Sequence, residues 1–123
     1  MQYKNLLALL NNIPPEISAV SHWRYQRLTA VALTPLTVWL VIFLHKALHA
    51  PYAETTAWLS SPVNALAILA WILAVIYHAA LGMQVVIEDY IGPPLRNRVI
   101  KVVWLVLFSL GGIALLATLG VIF

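Results

Sequence analysis

Cysteine is absent from this chain of 123 residues, and charged residues make up only 9% of it. Without cysteine the chain cannot form disulfides, ligate an iron–sulfur cluster or build a thiolate zinc site, so any metal must be held by other side chains. Soluble domains contain about 25% charged residues, so the composition argues against a soluble catalytic domain. The net charge of +3 comes from basic residues beside apolar runs, a pattern typical of membrane topology and not of nucleic-acid binding.

Hydrophobic residues are abundant instead, at 63% of the sequence. They leave room for roughly three spans of about 20 residues with short loops. We therefore predict an all-α membrane protein with three transmembrane helices and a short N-terminal amphipathic segment. The predicted spans are residues 24–48, 62–88 and 99–122. Residues 1–20 are predicted to be a cytoplasmic or interfacial segment, with the amphipathic part at 1–13, and residues 21–123 to be the membrane domain.

The span boundaries follow from capping and helix-breaking residues. We predict that Ser21 caps the N-terminus of the first span and that a loop containing Glu54 and Trp58 follows that span. Pro93 and Pro94 end the second span, because proline cannot continue a helix. Three glycines offer close packing of the third span against another helix: Gly111, Gly112 and Gly120.

Basic residues are distributed unevenly between the loops, which predicts an orientation. One group precedes the first span and a second group lies between the second and third spans. The members are Lys4, Arg24 and Arg27, then Arg96, Arg98 and Lys101. Basic loops remain in the cytoplasm, so we expect a multi-pass membrane protein with its N-terminus in the cytoplasm and its C-terminus on the opposite side.

The second span contains a histidine deep in an apolar run and an acidic–aromatic pair at its end. His78 and Asp89 are eleven residues apart, so they lie on one helix face and are separated by roughly 16 Å along the axis. Gly82, one turn from His78, leaves space for a flat ligand or a neighbouring helix. His78 is either a haem ligand or a neutral imidazole hydrogen-bonded to another helix. Asp89 and Tyr90 form a polar site at the membrane edge, or are an ordinary interfacial acid and an aromatic-belt tyrosine.

Two sequence segments carry a resemblance to a known family. Span one opens with Gln26-Arg27-Leu28-Thr29-Ala30, and span two contains Tyr77-His78-Ala79-Ala80-Leu81-Gly82 followed by Val85-Val86-Ile87-Glu88-Asp89-Tyr90. This arrangement resembles the hydrophobic membrane anchor subunit of succinate dehydrogenase, the smaller anchor chain of complex II. The similarity covers most of the chain, including its length, three spans and order of motifs.

The resemblance implies a role for four residues. His78 would be an axial ligand of haem b, and the partner cytochrome b anchor subunit would supply the second ligand. Arg27 would pair with a haem propionate. Tyr90 would donate a hydrogen bond to ubiquinone, and Asp89 would order that site or deliver protons to it.

The resemblance also implies partners and a division of labour. Besides the cytochrome b anchor, the partners would be an iron–sulfur subunit, a flavoprotein subunit and membrane lipid. The membrane would be the bacterial inner membrane, with the N-terminus in the cytoplasm and the C-terminus in the periplasm. Succinate would be oxidised on the flavoprotein, so this chain alone would contribute no catalytic residue. Two alternatives stay open: the anchor of a fumarate reductase, and a haemless three-span protein with a structural or transport role.

Overall fold

The computed structural model describes residues 15–123, and the proposed amphipathic segment at 1–13 lies outside them. The described chain forms four helices without strands: α1 (Pro15–His49), α2 (Tyr52–Leu59), α3 (Pro62–Tyr90) and α4 (Leu95–Ile122). Three of them are long and apolar enough to cross a membrane, with mean hydropathies of 1.9, 2.1 and 2.4 along the chain. The prediction of an all-α protein with three membrane-spanning helices is confirmed.

Proline sets two of the helix boundaries. Pro62 occupies the first turn of α3, where its missing N–H costs no helical hydrogen bond. Pro93 and Pro94 separate α3 from α4 and are joined by a cis peptide bond. The prediction that Ser21 caps the first span is wrong, because α1 already begins at Pro15 and Ser21 lies inside it.

The connection between α1 and α3 is the second departure from the predicted boundaries. The stretch predicted as a loop contains the eight-residue helix α2. Glu54 of α2 pairs with Lys46 of α1 at 3.0 Å, and Leu59 of α2 is buried against the end of the bundle. Helical periodicity in so short a segment is weak, so these tertiary contacts hold α2 where its sequence alone does not specify it.

Helix α3 lies at the centre of the bundle and packs antiparallel against both α1 and α4. Gly111 of α4 lies directly on Ile76 of α3, since a Cβ atom on this glycine would come within 3.0 Å of the Ile76 side chain. Close packing is thus confirmed at Gly111. Gly112 and Gly120 have open space where a Cβ would project, with no atom of the described chain within 4 Å.

The antiparallel arrangement gives the bundle two distinct ends. We call one the arginine end, because it holds Arg24, Arg27, Arg96 and Arg98 near the start of α1, the end of α3 and the start of α4. The other is the α2 end, where α2 joins α1 to α3. Only a small apolar core is buried, and most of the large apolar side chains are exposed, as expected where lipid or partner helices cover them.

Candidate functional site at the α1–α3 interface

His78 projects from α3 toward α1 and contacts a threonine there. The Nδ1 atom of His78 lies 2.9 Å from the Oγ1 atom of Thr29. The same hydroxyl lies 2.9 Å from the backbone carbonyl oxygen of Tyr25 and 3.0 Å from that of Gln26. A hydrogen-bonded partner for His78 on a neighbouring helix, one of the two readings of this residue, is therefore present.

These three distances favour one protonation pattern at His78. The Thr29 hydroxyl has a single proton, and a carbonyl oxygen can only accept a hydrogen bond. If that proton goes to the carbonyl of Tyr25 or Gln26, as the distances allow, the Thr29 oxygen accepts from Nδ1–H of His78. The lone pair then lies on Nε2, and metal-ligating histidines commonly donate their other ring N–H in this way. The hydrogen bond to Thr29 is therefore compatible with metal ligation by His78.

His78 also lines a surface groove between α1 and α3 with a volume of about 450 Å³. The other lining residues all come from α1: Ala30, Leu33, Thr34, Thr37, Val38 and Val41. The Thr34 hydroxyl donates to the carbonyl of Ala30, one turn back in its own helix, at 2.9 Å. The Thr34 hydroxyl is thus hydrogen-bonded within its own helix, and the groove beside the imidazole presents a mainly apolar wall.

Arg27 continues this wall toward the arginine end. It precedes Ala30 by three residues and Thr34 by seven, a spacing that places all three on one stripe of α1. The Arg27 side chain is exposed, and its guanidinium carbon lies 5.1 Å from the centroid of the Trp23 ring, an arrangement typical of a cation–π contact. Arg27 is thus on the same side of α1 as Ala30 and Thr34, but it is not among the residues that line the groove.

Two residues of the predicted α3 face, His78 and Gly82, meet α1, and so does Trp71 of the same helix. His78 contacts Thr29, Trp71 donates from Nε1 to the Thr37 hydroxyl at 3.3 Å, and Gly82 faces Gln26. A Cβ on Gly82 would lie 3.3 Å from the Gln26 side-chain nitrogen. Of the two roles considered for Gly82, the structure supports the approach of a neighbouring helix.

Asp89 and Tyr90 lie at the last turn of α3 and are both exposed, Tyr90 at 85% of its surface. Neither residue lines the groove beside His78. Their side chains form no hydrogen bond with another residue in the part of the chain that the structure describes. The predicted quinone residues are therefore close to each other, but this chain does not enclose them in a site.

A cavity with a volume of about 800 Å³ lies at the arginine end, between α1, α3 and α4. Its polar lining includes His22, Gln26, Glu88 and Arg96. The Nδ1 atom of His22 and the Oε1 atom of Gln26 are buried without a hydrogen-bond partner, which is costly unless a partner is supplied. This cavity was not predicted from the sequence, because its lining residues come from three helices and lie far apart along the chain.

The fold and the histidine site define a class: a three-span membrane protein with an imidazole between two of its helices. The sequence model of a protein family, described as the succinate dehydrogenase/fumarate reductase transmembrane subunit, matches residues 10–120. The chain belongs to this family. The resemblance inferred from the two sequence segments is thereby confirmed.

Curated relatives named succinate dehydrogenase hydrophobic membrane anchor subunit come from several Rickettsia species. The chain is 40% identical over 90 residues to the succinate dehydrogenase hydrophobic membrane anchor subunit of Rickettsia conorii, covering 72% of this chain and 71% of the relative. It is 39% identical over 84 residues to the subunit of the same name from Rickettsia bellii, covering 68% and 67%. No solved structure gives a significant match.

Proposed function

We propose that this chain anchors succinate dehydrogenase in the membrane, supplies one axial ligand to haem b and forms part of the ubiquinone reduction site. The observation that carries the haem assignment is the hydrogen bond between His78 Nδ1 and Thr29. That bond fixes the ring between two helices and is compatible with a free lone pair on Nε2. The exposed face of the α1–α3 groove is then covered by the cytochrome b anchor subunit, which supplies the second histidine.

Two features of the groove support this use of His78. Its wall is mainly apolar, which suits the porphyrin ring, and Arg27 lies on the same stripe of α1, toward the arginine end. An arginine can pair with a carboxylate through two parallel hydrogen bonds, so Arg27 would hold a haem propionate. When bound, haem b would accept and release one electron at a potential that its ligands and their hydrogen bonds tune.

Tyr90 and Asp89 would form this chain's part of the ubiquinone site. The phenol O–H of Tyr90 donates a hydrogen bond to a quinone carbonyl oxygen. Reduction to quinol consumes two protons, and the carboxylate of Asp89 at the aqueous edge can relay them. Both side chains are exposed in the isolated chain, so the partner subunits would enclose them.

The distribution of basic residues supports an orientation for the assembly. The arginine end would face the cytoplasm of a bacterium, with the C-terminus of α4 in the periplasm. The iron–sulfur and flavoprotein subunits would dock at the arginine end, where Tyr90, Asp89 and the cavity of about 800 Å³ lie. Electrons from succinate would then enter the quinone site on the cytoplasmic side.

The family includes fumarate reductase anchors, in which the same architecture works in the opposite direction. The names of the curated relatives favour the succinate-oxidising direction. Turnover of the purified complex with succinate and ubiquinone, compared with turnover with fumarate and a low-potential quinol, measures the direction. Faster fumarate reduction would favour the alternative.

The haem assignment is tested with His78→Ala in the purified complex. We expect the reduced-minus-oxidised difference spectrum to lose its b-type haem band. His49→Ala is the matched control, since this second histidine lies at the α2 end of α1, and it should leave the band intact. A normal haem band in an assembled His78→Ala complex would refute the ligand role of His78.

The quinone assignment is tested separately with Tyr90→Phe, which removes one hydroxyl and keeps the ring. Loss of one hydrogen bond to the quinone should lower ubiquinone reduction by about tenfold. Haem content and electron transfer from succinate to a soluble artificial acceptor should not change. Unaltered ubiquinone kinetics would remove Tyr90 from the site without affecting the assignment of His78.

A further inference from the structure

Two histidines lie together at the α2 end of α1, away from the site already described. His45 and His49 are four residues apart, a spacing that places both side chains on one helix face. Their ring centroids are 4.4 Å apart, and the ring planes are inclined at 31°. Two imidazoles bound to one tetrahedral zinc ion have ring centroids about 5 Å apart, given a Zn–N distance of about 2 Å. The separation of the two rings is therefore similar to that of two imidazoles bound to one ion.

A backbone contact prepares one of these rings for metal binding. The Nδ1 atom of His49 lies 2.7 Å from the carbonyl oxygen of His45. A carbonyl oxygen only accepts, so Nδ1 of His49 carries the proton and donates it to this bond. The lone pair of His49 is consequently on Nε2. An N–H donated to a backbone carbonyl is a common way to fix the tautomer of a metal-ligating histidine.

The surroundings allow a cation to approach. Both histidines are exposed, so water can complete the coordination of a bound ion. The nearby Lys46 is paired with Glu54 at 3.0 Å, which offsets its positive charge. The described residues contain no group of three or more histidine, cysteine, aspartate or glutamate side chains that could hold a metal, so this chain would offer two ligands.

From this geometry we propose that His45 and His49 form a two-histidine site for a divalent transition-metal cation of the zinc or copper type. Imidazole nitrogen suits Zn²⁺, Cu²⁺ and Ni²⁺, whereas Mg²⁺ and Ca²⁺ prefer oxygen ligands. Among these ions, Cu²⁺ binds a given nitrogen site more tightly than Zn²⁺. The site would join two successive turns at the end of α1, at the membrane face opposite Tyr90.

Copper provides the direct test, because its electron paramagnetic resonance spectrum counts nitrogen ligands. Cu²⁺ is titrated into the purified complex, and the spectrum of the first bound equivalents is recorded with and without competing Zn²⁺. We expect a signal with two imidazole nitrogens that Zn²⁺ displaces and Mg²⁺ does not. A signal with a single nitrogen in the wild-type complex would overturn the proposal.

Variants then assign the signal to this chain. His45→Ala and His49→Ala should each remove the two-nitrogen signal and weaken Cu²⁺ binding by about tenfold or more. His22→Ala is the matched control, since it deletes a histidine from the same helix at the arginine end, and it should retain the signal. A two-nitrogen signal of unchanged affinity in either His45→Ala or His49→Ala would place the metal elsewhere in the complex and refute the site.

Discussion

The two ends of the bundle satisfy their polar groups differently. At the α2 end, the Asn64 side chain accepts from Trp39 Nε1 at 2.9 Å and donates to the Trp58 carbonyl at 3.0 Å and to the Ser61 hydroxyl at 2.9 Å. The Thr55 hydroxyl is the one buried side-chain group without a partner among the described residues of this end. Most of the polar groups here thus find partners within the chain.

At the arginine end, two buried polar side chains lack hydrogen-bond partners within the described chain. Buried polar atoms of His22 and Gln26 have no hydrogen-bond partner and border a cavity of about 800 Å³. Tyr90 is 85% exposed, although an amphipathic ring at a membrane edge can serve as an anchor. Unsatisfied buried groups in a native fold need an explanation, and the partner subunits that we propose to dock at this end would provide one.

Aromatic contacts occur toward both ends of the bundle. Near the arginine end, Tyr25 of α1 contacts Tyr77 of α3 edge-on, with ring centroids 6.3 Å apart. At the α2 end, Trp39, Phe43 and Trp58 form a mutually stacked group with ring centroids 5.8–5.9 Å apart. At the arginine end, Trp23 is exposed and contacts only the Arg27 guanidinium among the aromatic and cationic pairs of the described residues. From the difference in hydrogen bonding, we expect the α2 end to contribute mainly to the stability of the chain and the arginine end mainly to assembly and function.

The largest effect is expected for Thr29→Val, which removes the hydrogen-bond partner of His78 and keeps the side-chain shape. Outer partners of ligating histidines change metal affinity by about 10- to 100-fold when lost, so haem retention should fall by that order. Thr29→Ser should restore it. Haem content and midpoint potential, measured on the purified complex by redox titration, report the change.

Thr34→Val is the matched control for this change. The Thr34 hydroxyl bonds only within its own helix, to Ala30, yet the residue lines the same groove. Its replacement should leave the midpoint potential unaltered. Equal haem affinity and potential in wild type and Thr29→Val would show that the bond to His78 has no part in holding haem.

The second-largest effect is expected for Gly111→Leu, at the packing contact between α3 and α4. The new side chain must displace Ile76, and overpacking of this kind costs about 1–3 kcal/mol. Gly112→Leu introduces the same side chain one residue along, where no atom of the described chain lies within 4 Å. The thermal midpoint of the purified complex should fall for Gly111→Leu and fall less for Gly112→Leu. Equal losses would mean that a partner helix covers Gly112.

The sequence predicted the long helices well because their signal is repeated over many residues. The apolar runs specify three spans, and proline marks the start of α3 and the break between α3 and α4. Helix α2 was missed, since eight residues stabilised by tertiary contacts leave little periodicity. Local residue preference alone favours Ser21 as a cap, and the continuous helix from Pro15 overrides that preference.

The candidate site was predicted only in part. The eleven-residue spacing places His78 and Asp89 on one face of α3, and the contacts of His78, Gly82 and Trp71 show that much of this face meets α1. Thr29 belongs to the motif that opens span one, but its contact with His78 joins residues 49 positions apart. Neither helix contains information on which turn of the other it opposes, so that pairing required the tertiary structure.

A smaller loss is expected for Asn64→Leu at the α2 end. The change leaves the Trp39 N–H without its acceptor, and hydrogen bonds between membrane helices are worth about 1–2 kcal/mol at most. The thermal midpoint should fall, while haem content and ubiquinone reduction stay at wild-type values. Gln84→Leu, which removes the acceptor of Trp104 Nε1 nearer the arginine end, is the comparison. A loss of ubiquinone reduction in Asn64→Leu would contradict the separation of stability and function between the ends.

The smallest effect is expected for Lys46→Met, which removes the ion pair with Glu54. The two side chains are 27% and 60% exposed, and exposed pairs contribute about 0–1 kcal/mol because water screens them. Methionine keeps much of the apolar stem of lysine, so packing at the start of α2 should survive. Thermal midpoints of wild type, Lys46→Met and Glu54→Gln should therefore agree closely. A large drop in both variants would mean that the ion pair, more than the hydrogen bonds of Asn64 and the aromatic stack, holds α2 against the bundle.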